Sequence, residues 1–268
     1  MNGRFAKMHG LGNDFVVIDA RQEPVAINSA RARAIADRHS GIGCDQLILI
    51  EPSQQADVRM RIFNADGSEV EACGNATRCV PLFIGHDVLI ETKAGLLDAR
   101  QIDGGASVDM GAPVLEWDGI PLGYAMDTLT MPVSWDDLPP PVAVNMGNPH
   151  VVFFCDNLDA VDMARLGPLI ETDPLFPQRV NVNFAQILGP DHIRLVVWER
   201  GAGFTRACGT GACATAVAAI RRKLCTGPVR VDLPGGTLTI AWVPGGHVTM
   251  TGPATHVFDG EADWNRFG

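Results

Sequence analysis

A chain of 268 residues with a formal charge of −10 and a pI near 5.1 can bury a sizeable core as one large domain or two small ones. It has no basic surplus to neutralise phosphates, so nucleic acid and anionic membranes are excluded as expected partners and a small-molecule substrate fits better. No apolar run approaches the ~18 residues of a membrane helix and no signal peptide opens the chain, while seven cysteines without a regular framework point to reduced thiols in a cytoplasmic protein.

Taken in order, the pattern is strand-dominated. HGLGND (9–14) has two glycines of a dinucleotide fingerprint but lacks the third and a following helix, so it reads as a turn before a strand over 14–19. A capped helix is expected over 29–39, ended by Gly41, then strands over 46–50, 57–64 and 87–92 and glycine-punctuated hairpins after Gly95. The proline-rich stretch 118–141 reads as a linker. Beyond it come strands over 151–154, 180–185 and 192–199, a helix near 159–170, and an alanine-rich helix over 211–223. The basic residues that close this last helix, Arg221, Arg222 and Lys223, complement its dipole and need no further role.

EACGNATRC (71–79) and RACGTGACATA (206–216) are the two similar stretches, and sliding the chain on itself by 135 superposes Cys73 on Cys208. The same offset places Gly12 on Gly147, Asn13 on Asn148, Arg59 on Arg194, Ala72 on Ala207 and Gly74 on Gly209. Further on it drifts to 141, pairing Gly95 with Gly236, Gly104 and Gly105 with Gly245 and Gly246, and Gly111 with Gly252. The chain is therefore expected to be a duplicated domain, with residues 1–117 as the first copy and 118–256 as the second.

Each of the paired cysteines stands where a short helix should begin. A helix start presents unpaired N–H groups and the positive end of the dipole, which bind anions and lower a thiol's pKa. Two such thiols across an interdomain cleft could invert a carbon centre without a cofactor, one taking a proton as thiolate and the other giving one as thiol. The helix-start amides would hold the adjacent carboxylate. Cys44, Cys79, Cys155, Cys213 and Cys225 have no partner in the repeat and read as small apolar groups. Metal is not expected, because neither paired cysteine has zinc-site spacing.

KMHGLGNDFVVID, RIFNADGSEVEACGNATRC, NMGNPH and WERGAGFTRACGTGACA together resemble the diaminopimelate epimerase family over essentially the whole chain. The resemblance implies an α+β fold of two pseudosymmetric domains, each a mostly antiparallel sheet around a central helix, with a tail at about 257–268 returning to the first domain. It also implies interconversion of the LL and meso isomers of diaminopimelate without pyridoxal phosphate, by a homodimer. Carried over by motif, Cys73 and Cys208 are the acid–base pair, and His150 and Glu199 adjust their pKa values. The substrate contacts implied are Asn13, Gln46, Asn64, Gly74, Asn75, Asn148, Asn181, Glu199, Arg200, Gly209 and Thr210.

The repeat itself pairs Asn64 with Glu199, Ala65 with Arg200 and Phe15 with His150, so symmetry breaks beside the cysteines. Arg200, with its planar fork, is the candidate for a distal substrate carboxylate. The nearest rival is a racemase of proline or hydroxyproline on the same scaffold, whose members carry Gly-His after the first cysteine where Asn75 stands here. A thiol redox protein is a more distant alternative.

Overall fold

A computed structural model describes residues 2–71 and 73–267; Ala72, which the repeat pairs with Ala207, lies outside the described residues. The chain forms two compact units, one running to Asp109 and resuming at Gly252, the other Met110–Thr251.

The first unit begins with β1 (Asn2–Gly10) and β2 (Asn13–Asp19), an antiparallel hairpin. Leu11 and Gly12 join them at φ 55° and 82°, the double positive φ whose twist suits a two-residue hairpin. HGLGND is thus a strand turn, as its missing third glycine suggests. Helix α1 (Ser29–Ala36) is capped by Asn28 and stops earlier than the sequence suggests, because the Asp37 carboxylate accepts from the N–H groups of His39 and Ser40 and draws the backbone out of the helix.

Strand β3 (Gln46–Glu51) runs parallel to β2, and β4 (Val58–Asn64) antiparallel to β3. After β5 (Glu69–Val70) comes α2 (Gly74–Ile84), ended by Gly85 in the left-handed region at φ 93°. Strand β6 (Val88–Thr92) is parallel to β4, and β7 (Gly95–Ile102) and β8 (Gly105–Asp109) follow as antiparallel neighbours. Helix α2 packs against β1, β6, β7 and β8, while α1 covers β3 and β4 from the other side. Strands β2 and β3 are buried on both faces and therefore read as continuous apolar runs.

The second unit repeats this order with β9 (Val142–Asn145), β10 (Pro149–Phe154), α3 (Met163–Glu171), β11 (Asn181–Gly189), β12 (His192–Glu199), β13 (Gly203–Phe204) and α4 (Gly209–Arg221). Strands β14 (Val229–Leu233), β15 (Gly236–Ala241) and β16 (Thr249–Pro253) complete it. Helix α4 packs against β9, β10, β11, β12, β14 and β15, and ten of its residues are buried. Strand β17 (Thr255–Asp263) then pairs antiparallel with β1, and Trp264 joins the cluster under α1. No helix among the described residues is long and apolar enough to cross a membrane.

Strand register carries the duplication into structure. Phe15 faces Gln46 in one unit and His150 faces Asn181 in the other, each second residue lying 135 after the first. Arg59 faces Glu91 and Arg194 faces Asp232, so the offset has reached 141 past the helix. One correction follows at the last hairpin: Ala99 faces Val108 but Ile240 faces Met250, so the second copy holds one further residue there and the offset becomes 142. The pairing of Gly111 with Gly252 is displaced by that residue, whereas Gly104 and Gly245 share a positive φ, 71° and 84°, in the loop itself.

Two other expectations change. Stretch 118–141 has no regular element, yet Ile120, Leu122, Met131, Trp135 and Leu138 are buried in one cluster with Phe153, Phe184, Leu166 and Ile170, so it is core and not a solvated linker. Arg221 donates to Ala143 O and Thr128 Oγ1, and Arg222 to Pro140 O and Thr130 Oγ1, so both side chains fasten that stretch to α4. Helix α4 begins directly after Cys208, two residues earlier than its alanine run suggests.

Candidate active site

Cys73 and Cys208 hold the same place in their units, each the residue immediately before a buried helix, with extended backbone and no side-chain cap. In the first unit the half-buried Cys73 thiol donates to Asn13 Oδ1 over 3.7 Å, and Asn75 Nδ2 donates to the same oxygen over 3.3 Å. Asn13 is held in turn by Asp45, whose Oδ2 accepts from Asn13 Nδ2 at 3.1 Å. Asn75 is held by Arg78, a fully buried arginine that donates to Asn75 Oδ1 at 2.9 Å, to Gly74 O and to Pro253 O. Gly10 makes room for this packing: a Cβ there would meet Arg78 Nη2 and Asn75 O at 3.0 Å.

On the adjoining strands Gln46 Nε2 donates to Asn64 Oδ1 at 2.9 Å, and among the described residues the buried Gln46 Oε1 has no hydrogen-bond partner. The equivalent pair in the second unit is bonded differently. Asn181 spends its amide on the backbone, donating to Pro149 O and accepting from Arg200 N, so it fixes where Arg200 leaves β12. The Arg200 side chain is exposed, and among the described residues its one hydrogen bond is from Nη1 to Gln178 O at 2.9 Å.

Around Cys208 the second unit gathers Thr210, His150, Asn148 and Glu199. Cys208 Sγ lies 3.6 Å from Thr210 Oγ1, which lies 3.1 Å from His150 Nε2. The Glu199 carboxylate accepts from the Thr205 hydroxyl and from the Cys208 thiol. Gly211 leaves room here: an added Cβ would crowd Cys208 Sγ at 3.2 Å and Val197 Cγ2 at 3.1 Å.

The electrostatics of Cys208 reverse one expectation from sequence. Burial first, and the Glu199 charge second, push its thiol well above the ordinary range, against the opposing pull of the Thr210 hydroxyl and then of the Gly211 N–H. The helix-start effect is outweighed, and Cys208 rests as a thiol. Burial also raises the Glu199 carboxyl. Among the cysteines read as apolar fillers, burial pushes Cys44 up to about 11, Cys79 to about 12 and Cys155 to about 11, in keeping with inert thiols.

His150 is fully buried, and that burial lowers its pKa to about 4, with the Arg200 charge acting in the same direction. A neutral ring therefore stands beside Thr210 at neutral pH. An unfolded imidazole titrates near ~6.5, so this depressed folded value means stability is complete above that pH and is lost as the pH falls from ~6.5 toward about 4. The expected loss is up to about 3 kcal/mol. Glu69 and Asp232, both held at about 2, lose their contribution in a lower window, and Glu199 runs the opposite way. The check is the difference between wild type and His150→Gln in denaturant midpoint from pH 7.5 to 4.5: the wild-type curve should fall more steeply, and parallel curves would contradict the assignment.

With this geometry in hand, comparison with known proteins is informative. The sequence matches the diaminopimelate epimerase family over residues 5–116 and 142–257. The chain belongs to the diaminopimelate epimerase family. A diaminopimelate epimerase of Zymomonas mobilis is 64% identical over 268 residues, covering all of both chains. Others are similar at 65% in Sphingopyxis alaskensis, again over both full chains, and at 55% in Rhodospirillum centenum, over 96% of this chain and 91% of that one. Among solved structures, a Bacillus anthracis protein of the PhzF family superposes with TM-score 0.68 at 16% identity, over 98% of this chain and 99% of that one. A hydroxyproline epimerase from Agrobacterium vitis superposes with TM-score 0.67 at 17% identity, over 97% and 92%. These two share the fold, which is the duplicated α+β architecture that the motifs of the diaminopimelate epimerase family imply.

Sequence reasoning missed Arg78, Asp45, Thr205 and Asn183, each of which touches a site residue, and Thr215, which touches Asn183. Arg78 had a signal, since it falls one helical turn after Gly74 on the same face. Asn183 had one as well: it follows Asn181 by two positions and so shares its face of β11.

Proposed function

We propose that this chain epimerises diaminopimelate at one α-carbon, interconverting the LL and meso isomers without a cofactor in the synthesis of lysine and peptidoglycan precursors, as a cytoplasmic homodimer. The observation that carries the reading is a pair of thiols at equivalent helix starts, Cys73 and Cys208, each supported by a different set of polar neighbours. In the LL to meso direction one thiolate takes the α-proton, leaving a carbanion whose charge spreads into the adjacent carboxylate. The thiol of the other cysteine delivers its proton to the opposite face, and the two sulfurs exchange protonation states over one turnover. The mechanism requires both sulfurs to reach opposite faces of one carbon, and the helix-start N–H groups to hold the carboxylate at that carbon. Cys208, resting as a thiol, suits the donor role in one direction.

Identity supports diaminopimelate over proline: the relatives named diaminopimelate epimerase share 52–65% of residues with this chain, against 17% for the hydroxyproline epimerase. Purified, reduced protein is expected to convert LL-diaminopimelate and leave L-proline and trans-4-hydroxy-L-proline unchanged, with no pyridoxal phosphate added. Chiral chromatography of the three reactions decides it, and proline turnover at a comparable rate would reverse the assignment.

A further inference from the structure

The offset of 135 places Phe15, Ile48 and Val80 of the first unit at the positions of His150, Asn183 and Thr215 of the second. The three apolar side chains are at most 1% exposed, and the three polar ones are 0% exposed. The same scaffold therefore packs well with hydrocarbon at these places. Polar groups cost free energy there unless each finds a partner, so their presence calls for an explanation beyond folding.

Their bonding is fully directional. Asn183 Nδ2 donates to Gly211 O and to Thr215 Oγ1, both at 3.0 Å. A carbonyl can only accept, so the amide orientation is fixed and Oδ1 faces His150 Nδ1 at 3.2 Å. Nδ1 must then carry the ring proton, and Nε2 presents a lone pair. The Thr210 hydroxyl, 3.1 Å from that lone pair, can donate to it; Asn148 Oδ1 is placed 3.0 Å away, and since an oxygen cannot bond a bare lone pair and no other side-chain bond among the described residues fixes that amide, it is turned to offer its NH₂. Thr210 Oγ1 is left with acceptor capacity toward Cys208 Sγ at 3.6 Å.

We infer that Asn183, seated by Thr215 and the Gly211 carbonyl, is a positioning residue that locks His150 in its Nδ1–H tautomer and thereby keeps Nε2 an acceptor for the Thr210 hydroxyl, the group that neighbours Cys208. Were the ring to flip to the Nε2–H tautomer, Thr210 would have to accept from the ring and its hydroxyl would turn. Asn183 thus sets the orientation of the hydroxyl beside Cys208 through the ring. The consequence for turnover rests on the proposed cysteine mechanism, whereas the tautomer itself does not.

The test separates the two. In uniformly ¹⁵N-labelled protein, with the His150 signals assigned by His150→Gln, the ring nitrogen shifts should report Nδ1–H in wild type, with no substrate present. Asn183→Leu removes the acceptor at similar volume and should shift His150 to the Nε2–H form or to a mixture. Asn183→Asp keeps an acceptor and should hold Nδ1–H. Activity should follow the tautomer: Asn183→Leu should lose roughly 10–100-fold in kcat, with an altered pH profile and a smaller change in KM, and Asn183→Asp should recover most of it. Nε2–H in wild type overturns the proposal, and this holds even if Asn183→Leu does not fold. An unchanged tautomer in Asn183→Leu, or equal losses in both variants that track only their melting temperatures, overturns it as well. A wild type with the Nδ1–H tautomer but no epimerase activity would instead count against the functional reading and leave the positioning intact.

Discussion

Cys73→Ala and Cys208→Ala are each expected to lower epimerisation by ~10³-fold or more, because in the proposed mechanism each thiol is the sole carrier of one of the two protons. Stability should change little. Both cysteines precede their helices, neither side chain caps its helix, and removing one sulfur atom from such a site costs on the order of 1 kcal/mol. Circular dichroism and melting curves alongside the assay separate lost chemistry from lost fold. Isotope flow gives the finer check. In heavy water, early turnover should place deuterium mainly in the product isomer, since the donating thiol has already exchanged with solvent. Equal labelling of recovered substrate would indicate one base working on one face. The two variants should also differ from each other: elimination of a leaving group at the β-carbon of an analogue needs only proton abstraction, so each variant should retain it with the isomer whose α-proton faces the remaining cysteine.

The central feature, two thiols before two helices, was legible because duplication wrote it twice, and a single offset also aligned the strands that flank it. Asymmetry was legible in identity but not in consequence. His150 opposite Phe15 could be read from the repeat, yet its neutral state depends on total burial, which no local pattern announces. The sign of the Cys208 shift was misread for the same reason: a helix start is a local cue, while burial and the Glu199 charge are products of tertiary packing. Stretch 118–141 was taken for a linker because prolines and turn formers dominate it. Its apolar residues are spaced irregularly, matching neither helix nor strand period, and only the fold shows that Met131 and Trp135 reach the core beside Phe153. Asn183 was hidden among strand-forming neighbours, where a second asparagine looks like a repetition of Asn181. The two have different duties, Asn181 holding backbone and Asn183 holding a ring.

Arg200→Met is expected to lower kcat/KM for diaminopimelate by at least about 30-fold, equivalent to about 2 kcal/mol or more. The repeat sets Arg200 opposite Ala65, so the second unit has a cation where the first has a methyl group. Its backbone N–H is anchored by Asn181 Oδ1 at 3.0 Å, and Nη1 by Gln178 O at 2.9 Å, which orients the guanidinium plane. Arg200 is exposed, and among the described residues no other hydrogen bond engages its guanidinium. In the proposed mechanism symmetric thiols suffice for the carbon that inverts, but a substrate with a second amino-acid end needs an unsymmetric wall, the role proposed for Arg200. Arg200→Lys should fall between wild type and Arg200→Met, because an ammonium retains charge but cannot form two parallel bonds to one carboxylate. Part of the loss belongs in kcat, since a remote contact also positions the reacting carbon between the sulfurs. An analogue lacking the distal carboxylate should already be poor with wild type and lose little more with Arg200→Met. If both substrates lose the same factor, Arg200 acts on the fold or on the thiols and does not read that carboxylate. Rising salt should erode wild-type kcat/KM for diaminopimelate more than for the analogue, because an exposed guanidinium attracts its partner through screened water until the contact closes.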